Sequence, residues 1–196
     1  MKPRRSTHSP LRVLALAAIT VAAAGTATAD ERHADQVARG KYLVTITGCH
    51  DCHTPLKAGP NGPEPDMSRM LSGHPTNLLV TAAKPPEAPW LVMATGTNTA
   101  WSGPWGVSFT ANLTPDRETG LGRWSVRTFK DTLRTGRHMG RGRPILPPMP
   151  IAVYKHMTDE DIEAVFKYLQ TIPAIENRVP EPLGPAAASA SVHDTR

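Results

Sequence analysis

The chain has 196 residues, with 22 Lys and Arg against 17 Asp and Glu, a length that fits one domain once a leader is set aside. Four of the basic residues, Lys2, Arg4, Arg5 and Arg12, precede residue 30 while all 17 acids follow residue 29, which leaves 18 basic groups against 17 and a net charge of +1. That balance excludes a nucleic-acid protein, whose folded domain carries a strong basic excess, and 20 Pro with 15 Gly leave a core in need of packing surface beyond its own side chains.

Residues 1–29 read as a secretory signal peptide: basic residues, an uncharged run from Val13 to Ala24, and Ala27-Thr28-Ala29 as cleavage site. The mature chain is expected to begin at Asp30 in the periplasm. A twelve-residue apolar run falls short of the roughly 20 residues a spanning helix needs, so no transmembrane segment is expected in the mature chain. A first helix is predicted from about Asp35 to Thr47. Gly40 costs it about 1 kcal/mol relative to alanine, and close approach of the C-terminal helix is the expected compensation.

The helix leads into Cys49-His50-Asp51-Cys52-His53, which holds both cysteines of the chain. A disulfide across two residues would close a loop too small to restrain much of the unfolded chain. A structural zinc site needs four ligands, and Cys49, Cys52 and His53 leave it one short. A thioredoxin-like pair wants a βαβ context that the sequence lacks. Cys-x-x-Cys-His is the attachment signature of c-type haem: the two thiols add to the vinyl groups as thioethers, and His53 ligates the iron. One haem c, covalent through Cys49 and Cys52, is therefore the expected cofactor, with His50 and Asp51 as solvent-facing spacers.

From Thr54 to Trp124 neither helical nor strand period is evident, only Pro, Gly, Trp and turn signals, and so long a loop is expected to wrap the haem. A second helix is predicted from Val126 to Thr135, capped by Ser125, ended by Gly136, with Val126, Phe129 and Leu133 inward. The basic run Arg134, Arg137, Arg141 and Arg143 offers one arginine to a haem propionate or forms a solvated face. Next comes Ile145-Leu-Pro-Pro-Met-Pro-Ile151, where flanking prolines fix φ and make a stiff strap. An electron-transfer cytochrome closes its iron with a second protein ligand, often methionine. Met149 is the candidate, Met139 the runner-up, and His74, His138 and His156 are the nitrogen alternatives. A third helix begins after Thr158 as N-cap, with Ile162, Val165, Phe166 and Leu169 on one face, and stops at Pro173. Residues 174–196 read as a Pro- and Ala-rich disordered tail.

The signal peptide, CHDCH, NLTPDRETGLGRW from Asn112 to Trp124, GRPILPPMP from Gly142 to Pro150 and TDEDIEAVFKYLQTIP together resemble bacterial class I-like c-type cytochromes, especially the periplasmic monohaem and dihaem members associated with dehydrogenases. The resemblance covers roughly residues 35–173. It implies an all-α, cytochrome c-like fold of about three main helices around one haem, within a domain spanning 30–173, with His53 and Met149 axial. It also implies that Asn112, Arg123 or Trp124 bonds the haem propionates, and that a carbonyl of Gly59-Pro60 or Gly62-Pro63 receives the second nitrogen of His53. The expected function is one-electron transfer without substrate chemistry, between redox protein partners such as a dehydrogenase, other cytochromes or a terminal oxidase. A haem enzyme or gas sensor with an open sixth position is the alternative, and His138 with Arg137 and Arg141 is the constellation that would serve it. The tryptophans Trp90, Trp101 and Trp105 either cover the haem or dock a partner. Only one Cys-x-x-Cys-His is present, so a relay of several haems would need a partner chain.

Overall fold

A computed structural model describes residues 28–80, 86 and 89–185. The expected leader lies outside these except for Thr28 and Ala29, and the last eleven residues of the expected tail lie outside as well. Five α-helices and five short strands occur among the described residues.

The first helix, α1, spans Ala29–Ile46 and starts earlier than expected because Thr28 and Glu31 form a capping box. Glu31 N donates to Thr28 Oγ1 at 3.2 Å and Thr28 N donates to the Glu31 carboxylate at 2.7 Å. Gly48, with φ 73°, turns the chain into the short helix α2, Cys49–His53. Helices α3, Val126–Thr135, and α5, Asp159–Leu169, have the expected caps: Ser125 Oγ accepts from Thr128 N, Thr158 Oγ1 accepts from Asp161 N, and Gly136 closes α3 in the left-handed region. Between them lie a 3-10 turn at His138–Gly140 and the short helix α4, Ile151–Tyr154. Ile162, Val165, Phe166 and Leu169 of α5 are all buried, as are Phe129 and Leu133 of α3, but Val126 is exposed.

Helices α1 and α5 cross at Gly40, where an added Cβ would stand 1.9 Å from the Ala164 carbonyl oxygen. The expected compensation for that glycine is therefore present. Arg39 reinforces the crossing with two bonds to Asp161, at 2.9 and 3.1 Å. Leu43 and Val44 of α1 join Ile162, Val165 and Phe166 of α5 and Phe129 and Leu133 of α3 in one apolar cluster.

The all-α expectation is overturned by the region between α2 and α3. Strands β1, Leu56–Gly59, and β2, Gly62–Pro65, form an antiparallel hairpin, and β3, Met93–Ala94, β4, Ala100–Gly103, and β5, Gly106–Phe109, form a three-stranded antiparallel sheet in that order. None exceeds four residues, too short for an alternating pattern to stand out. β2 is exposed throughout while Gly106, Val107 and Ser108 of β5 are all buried, so neither shows alternation at all.

The packed chain also continues beyond Pro173. Leu183 and Val107 exchange backbone hydrogen bonds at 2.9 Å, and Asn177 is only 3% exposed. Its side chain donates to the carbonyls of Ser72 and His74, at 2.7 and 2.9 Å, and accepts from Thr76 N at 3.0 Å. A polar anchor of this kind is invisible in a Pro- and Ala-rich composition.

This packing sets the cost of two changes. Gly40→Ala gains helix propensity, yet the clash with helix backbone outweighs it, and urea unfolding should register a net loss of about 1 to 3 kcal/mol. His74 is fully buried, with Nδ1 2.9 Å from Thr99 Oγ1 and Nε2 2.9 Å from the Leu78 carbonyl. Burial pushes its pKa down against the opposing pull of that carbonyl. The unfolded chain therefore binds the extra proton first as pH falls through about 6.5, so the stabilisation is full above that value and is lost below it. The urea midpoint should drop from about pH 7 toward pH 5, with a shallower slope in His74→Gln.

Candidate functional site

The site is built on the α1–α2 junction. Cys49 and Cys52 lie three residues apart on α2, hence on one face, and both are unpaired, half-buried thiols. Burial raises the pKa of each, which keeps them protonated near neutrality. Thr47 Oγ1 lies 3.4 Å from Cys49 Sγ. Asp51 is exposed as a spacer should be. His50 is not: its Nδ1 lies 3.0 Å from Thr54 Oγ1.

His53 is 8% exposed, and its Nδ1 lies 2.7 Å from the carbonyl oxygen of Ala111. A carbonyl can only accept, so Nδ1 carries the proton and Nε2 is left with a lone pair. Burial lowers the imidazole pKa, opposed by the Ala111 bond, and so favours that neutral form. The acceptor is thus not among the glycine-proline pairs 59–60 and 62–63. It is a backbone oxygen 58 residues further on, and no side-chain signal in the sequence marks it. His53 is also held by its own carbonyl, which accepts from Gly73 N at 2.8 Å.

The Pro-rich strap lies against the same body. Ser108 Oγ donates to the Pro147 carbonyl at 2.5 Å, Ile145 N donates to Gly136 O at 2.8 Å, and Tyr154 Oη beyond the strap donates to Thr47 O at 2.6 Å. Met149 is half-buried and packs on the apolar cluster that Cys49, Met70 and Trp124 also touch. Met139, by contrast, is 48% exposed in a turn at φ 52°. Neither ring nitrogen of His74 is free, His156 is exposed, and His138 sets its ring edge-on to Trp124 at 5.5 Å between centroids.

This donor set fits a covalent haem: two unpaired thiols on one helical face, an adjoining imidazole with one nitrogen spent and one available, and a thioether on a tied strap. The described residues contain no group of three or more His, Cys, Asp or Glu side chains that could hold a metal ion. A cleft of about 620 Å³ bounded by Leu56, Lys57, Leu78, Leu79, Thr95 and Thr97 includes none of these ligands.

The other expected contacts are engaged elsewhere. Asn112 is 4% exposed and its amide donates to the Ile175 carbonyl at 2.8 Å, while its oxygen accepts from Thr114 N at 3.0 Å and Thr114 Oγ1 at 2.8 Å. Arg123 is exposed and paired with Glu118. Only Trp124 of that trio joins the cluster with Cys49 and Met149. In the basic run, Arg134 donates to the carbonyls of Lys155 and Met157 and to Asp159, Arg137 to the Gly142 carbonyl, and Arg143 to Glu181. Of these, Arg134 ties α3 to the start of α5, while Arg137 bonds within its own turn and Arg143 reaches the segment after Pro173.

No family model matches the chain. It is 28% identical over 160 residues, 81% of its length, to the fructose dehydrogenase cytochrome subunit of Gluconobacter japonicus, covering 26% of that protein. It is 31% identical over 143 residues, 72% of its length, to the gluconate 2-dehydrogenase cytochrome c subunit of Pantoea cypripedii, covering 24% of that protein. A shorter match, 34% over 77 residues, or 39% of this chain and 6% of the relative, is to a nicotinate dehydrogenase subunit of Pseudomonas putida. The chain thus spans at most about a quarter of each of these relatives. Over most of its length it is similar to cytochrome c subunits of dehydrogenases, in line with the resemblance drawn from its motifs.

The roles of Asn112 and Arg123 separate in one experiment. Asn112→Ala should cost about 1 to 3 kcal/mol in urea unfolding by stranding buried partners, whereas Arg123→Ala, breaking an exposed pair, should leave the unfolding midpoint unchanged.

Proposed function

We propose that the chain carries single electrons, holding one haem c through Cys49 and Cys52 with His53 and Met149 as axial ligands. In this reading it works in the periplasm, after removal of the leader, and passes electrons from a dehydrogenase partner to another cytochrome or a terminal oxidase. The carrying observation is the fixed imidazole: His53 Nδ1 is committed to Ala111, so Nε2 is the nitrogen that can ligate iron. The similarity to subunits named for dehydrogenase cytochromes supports the choice of partner. Among the described residues no helix is long and apolar enough to cross a membrane.

Bound haem c supplies an iron that alternates between ferric and ferrous states, taking up and releasing one electron. The chain's own part would be to hold His53 and Met149 in place. The Ala111 carbonyl orients the imidazole and raises its basicity as a ligand. Prolines on either side of Met149 and the Ser108 bond to Pro147 restrain the strap, so that a weakly binding thioether need not be ordered at each redox change. A fixed geometry in both oxidation states lowers the reorganisation that electron transfer requires.

The test is the optical spectrum of haem-loaded protein beside Met149→Ala. The weak near-infrared band of methionine-to-ferric-iron ligation should be present in the wild type and absent in the variant, and the reduced wild type should not bind carbon monoxide. A wild type that lacks the band and binds carbon monoxide readily has an open or differently filled sixth position, which makes the protein a haem enzyme or gas sensor.

A further inference from the structure

Five buried polar side-chain atoms have no hydrogen-bond partner among the described residues: Arg69 Nε, Ser72 Oγ, Trp101 Nε1, Trp105 Nε1 and Thr110 Oγ1. Leaving a buried donor unpaired forfeits its hydration with nothing in return, and folded domains retain few such groups. Three of the five share one sheet face. Trp101 of β4 stands opposite Ser108 of β5, and Thr110 continues the ladder by donating its N–H to the Thr99 carbonyl at 2.9 Å. Successive side chains alternate between faces, so Trp101, Ser108 and Thr110 project to the same side. Gly103 presents that side too, and a Cβ there would stand 2.6 Å from the Trp105 ring. The Trp105 indole therefore lies over the same face.

This face runs between the segments that carry the two candidate iron ligands. Ala111, the residue after Thr110, receives His53 Nδ1 at 2.7 Å. Ser108, between Trp101 and Thr110 on the face, bonds the carbonyl of Pro147, two residues before Met149. The chemistry of the unpaired atoms is selective as well. An indole N–H donates and never accepts, so a water held by both tryptophans would need other acceptors for its own hydrogens. A carboxylate only accepts and has room for about four bonds.

Resting on the haem c reading above, we infer that Trp101 Nε1, Trp105 Nε1 and Thr110 Oγ1 form the carboxylate site that receives the haem propionates. The Trp-rich hairpin is then a lining of the cofactor crevice, and the donors expected from Asn112 and Arg123 are replaced by it. Gly103 is required small because a Cβ there would collide with the Trp105 ring.

The test uses haem-loaded protein, with Trp101→Phe and Trp105→Phe made singly, Thr110→Val as a shape-conserving third variant, and Trp90→Phe, at a residue 73% exposed, as control. The midpoint potential is followed against pH. A hydrogen bond to a charged group contributes about 1.5 to 3 kcal/mol, equivalent to about one to two pKa units, and its loss raises the pKa of the ionised partner. The propionate-linked inflection should move up by about one unit or more in at least one Phe variant and in Thr110→Val, and stay in place in Trp90→Phe. An inflection unmoved in all three, with the haem spectrum intact and unfolding stability equal to or above wild type, overturns the assignment, since removing a truly unpaired donor relieves a cost. That result leaves the carrier reading standing. Protein that carries no covalent haem overturns both.

Discussion

The hydrogen bond from His53 Nδ1 to the Ala111 carbonyl is the constraint around which the rest of the domain is arranged. It joins α2 to the chain two residues past β5, across 58 positions of sequence, and an imidazole bond of this kind works only if the oxygen is held in place. The β3–β4–β5 sheet holds it, by carrying the chain to Thr110 in register with Thr99. Gly73 completes the arrangement. Its backbone, at φ 77°, fits where a Cβ would lie 2.4 Å from the Thr110 carbonyl, and its N–H meets the carbonyl of His53. Both the ring and the main chain of the histidine are therefore fixed by segments far from the motif.

The same economy explains the polar interior. Asn177 and Asn112 are buried side by side, with the Asn112 amide reaching the Asn177 carbonyl at 3.4 Å. Between them they satisfy backbone groups of residues 72–76, 112–114 and 175–177 that have no sheet or helix partner. Irregular chain can be buried only when its polar groups are paired, so the segment after Pro173 is a structural part of the domain.

What could be read in the sequence follows from how local each signal is. Helix α3 was legible to the residue because Ser125, an apolar face and Gly136 all lie within twelve positions. Gly40 was legible too, because close contact with another helix excuses a glycine inside a helix, and Ala164 supplies that contact. The sheets were not, since strands of two to four residues carry no period. The acceptor for His53 is a backbone atom and is written in no side chain. Asn112 stands out as a polar residue in a distinctive motif, but its amide reaches the carbonyl of Ile175 in the segment after Pro173, a contact no local pattern announces. Arg123 and the basic run show the converse: charge near a motif in sequence pairs with nearby surface groups, Arg123 with Glu118 and Arg134 with Asp159.

Haem attachment at one pair of thiols is the claim on which everything else rests, and intact mass measurement after expression with the cytochrome c maturation machinery tests it most directly. The account predicts a denatured protein heavier by one haem, with the added mass on the peptide containing Cys49 to His53 and neither thiol open to alkylation. A protein of unmodified mass whose Cys49 and Cys52 both alkylate, or join to each other, would contradict it.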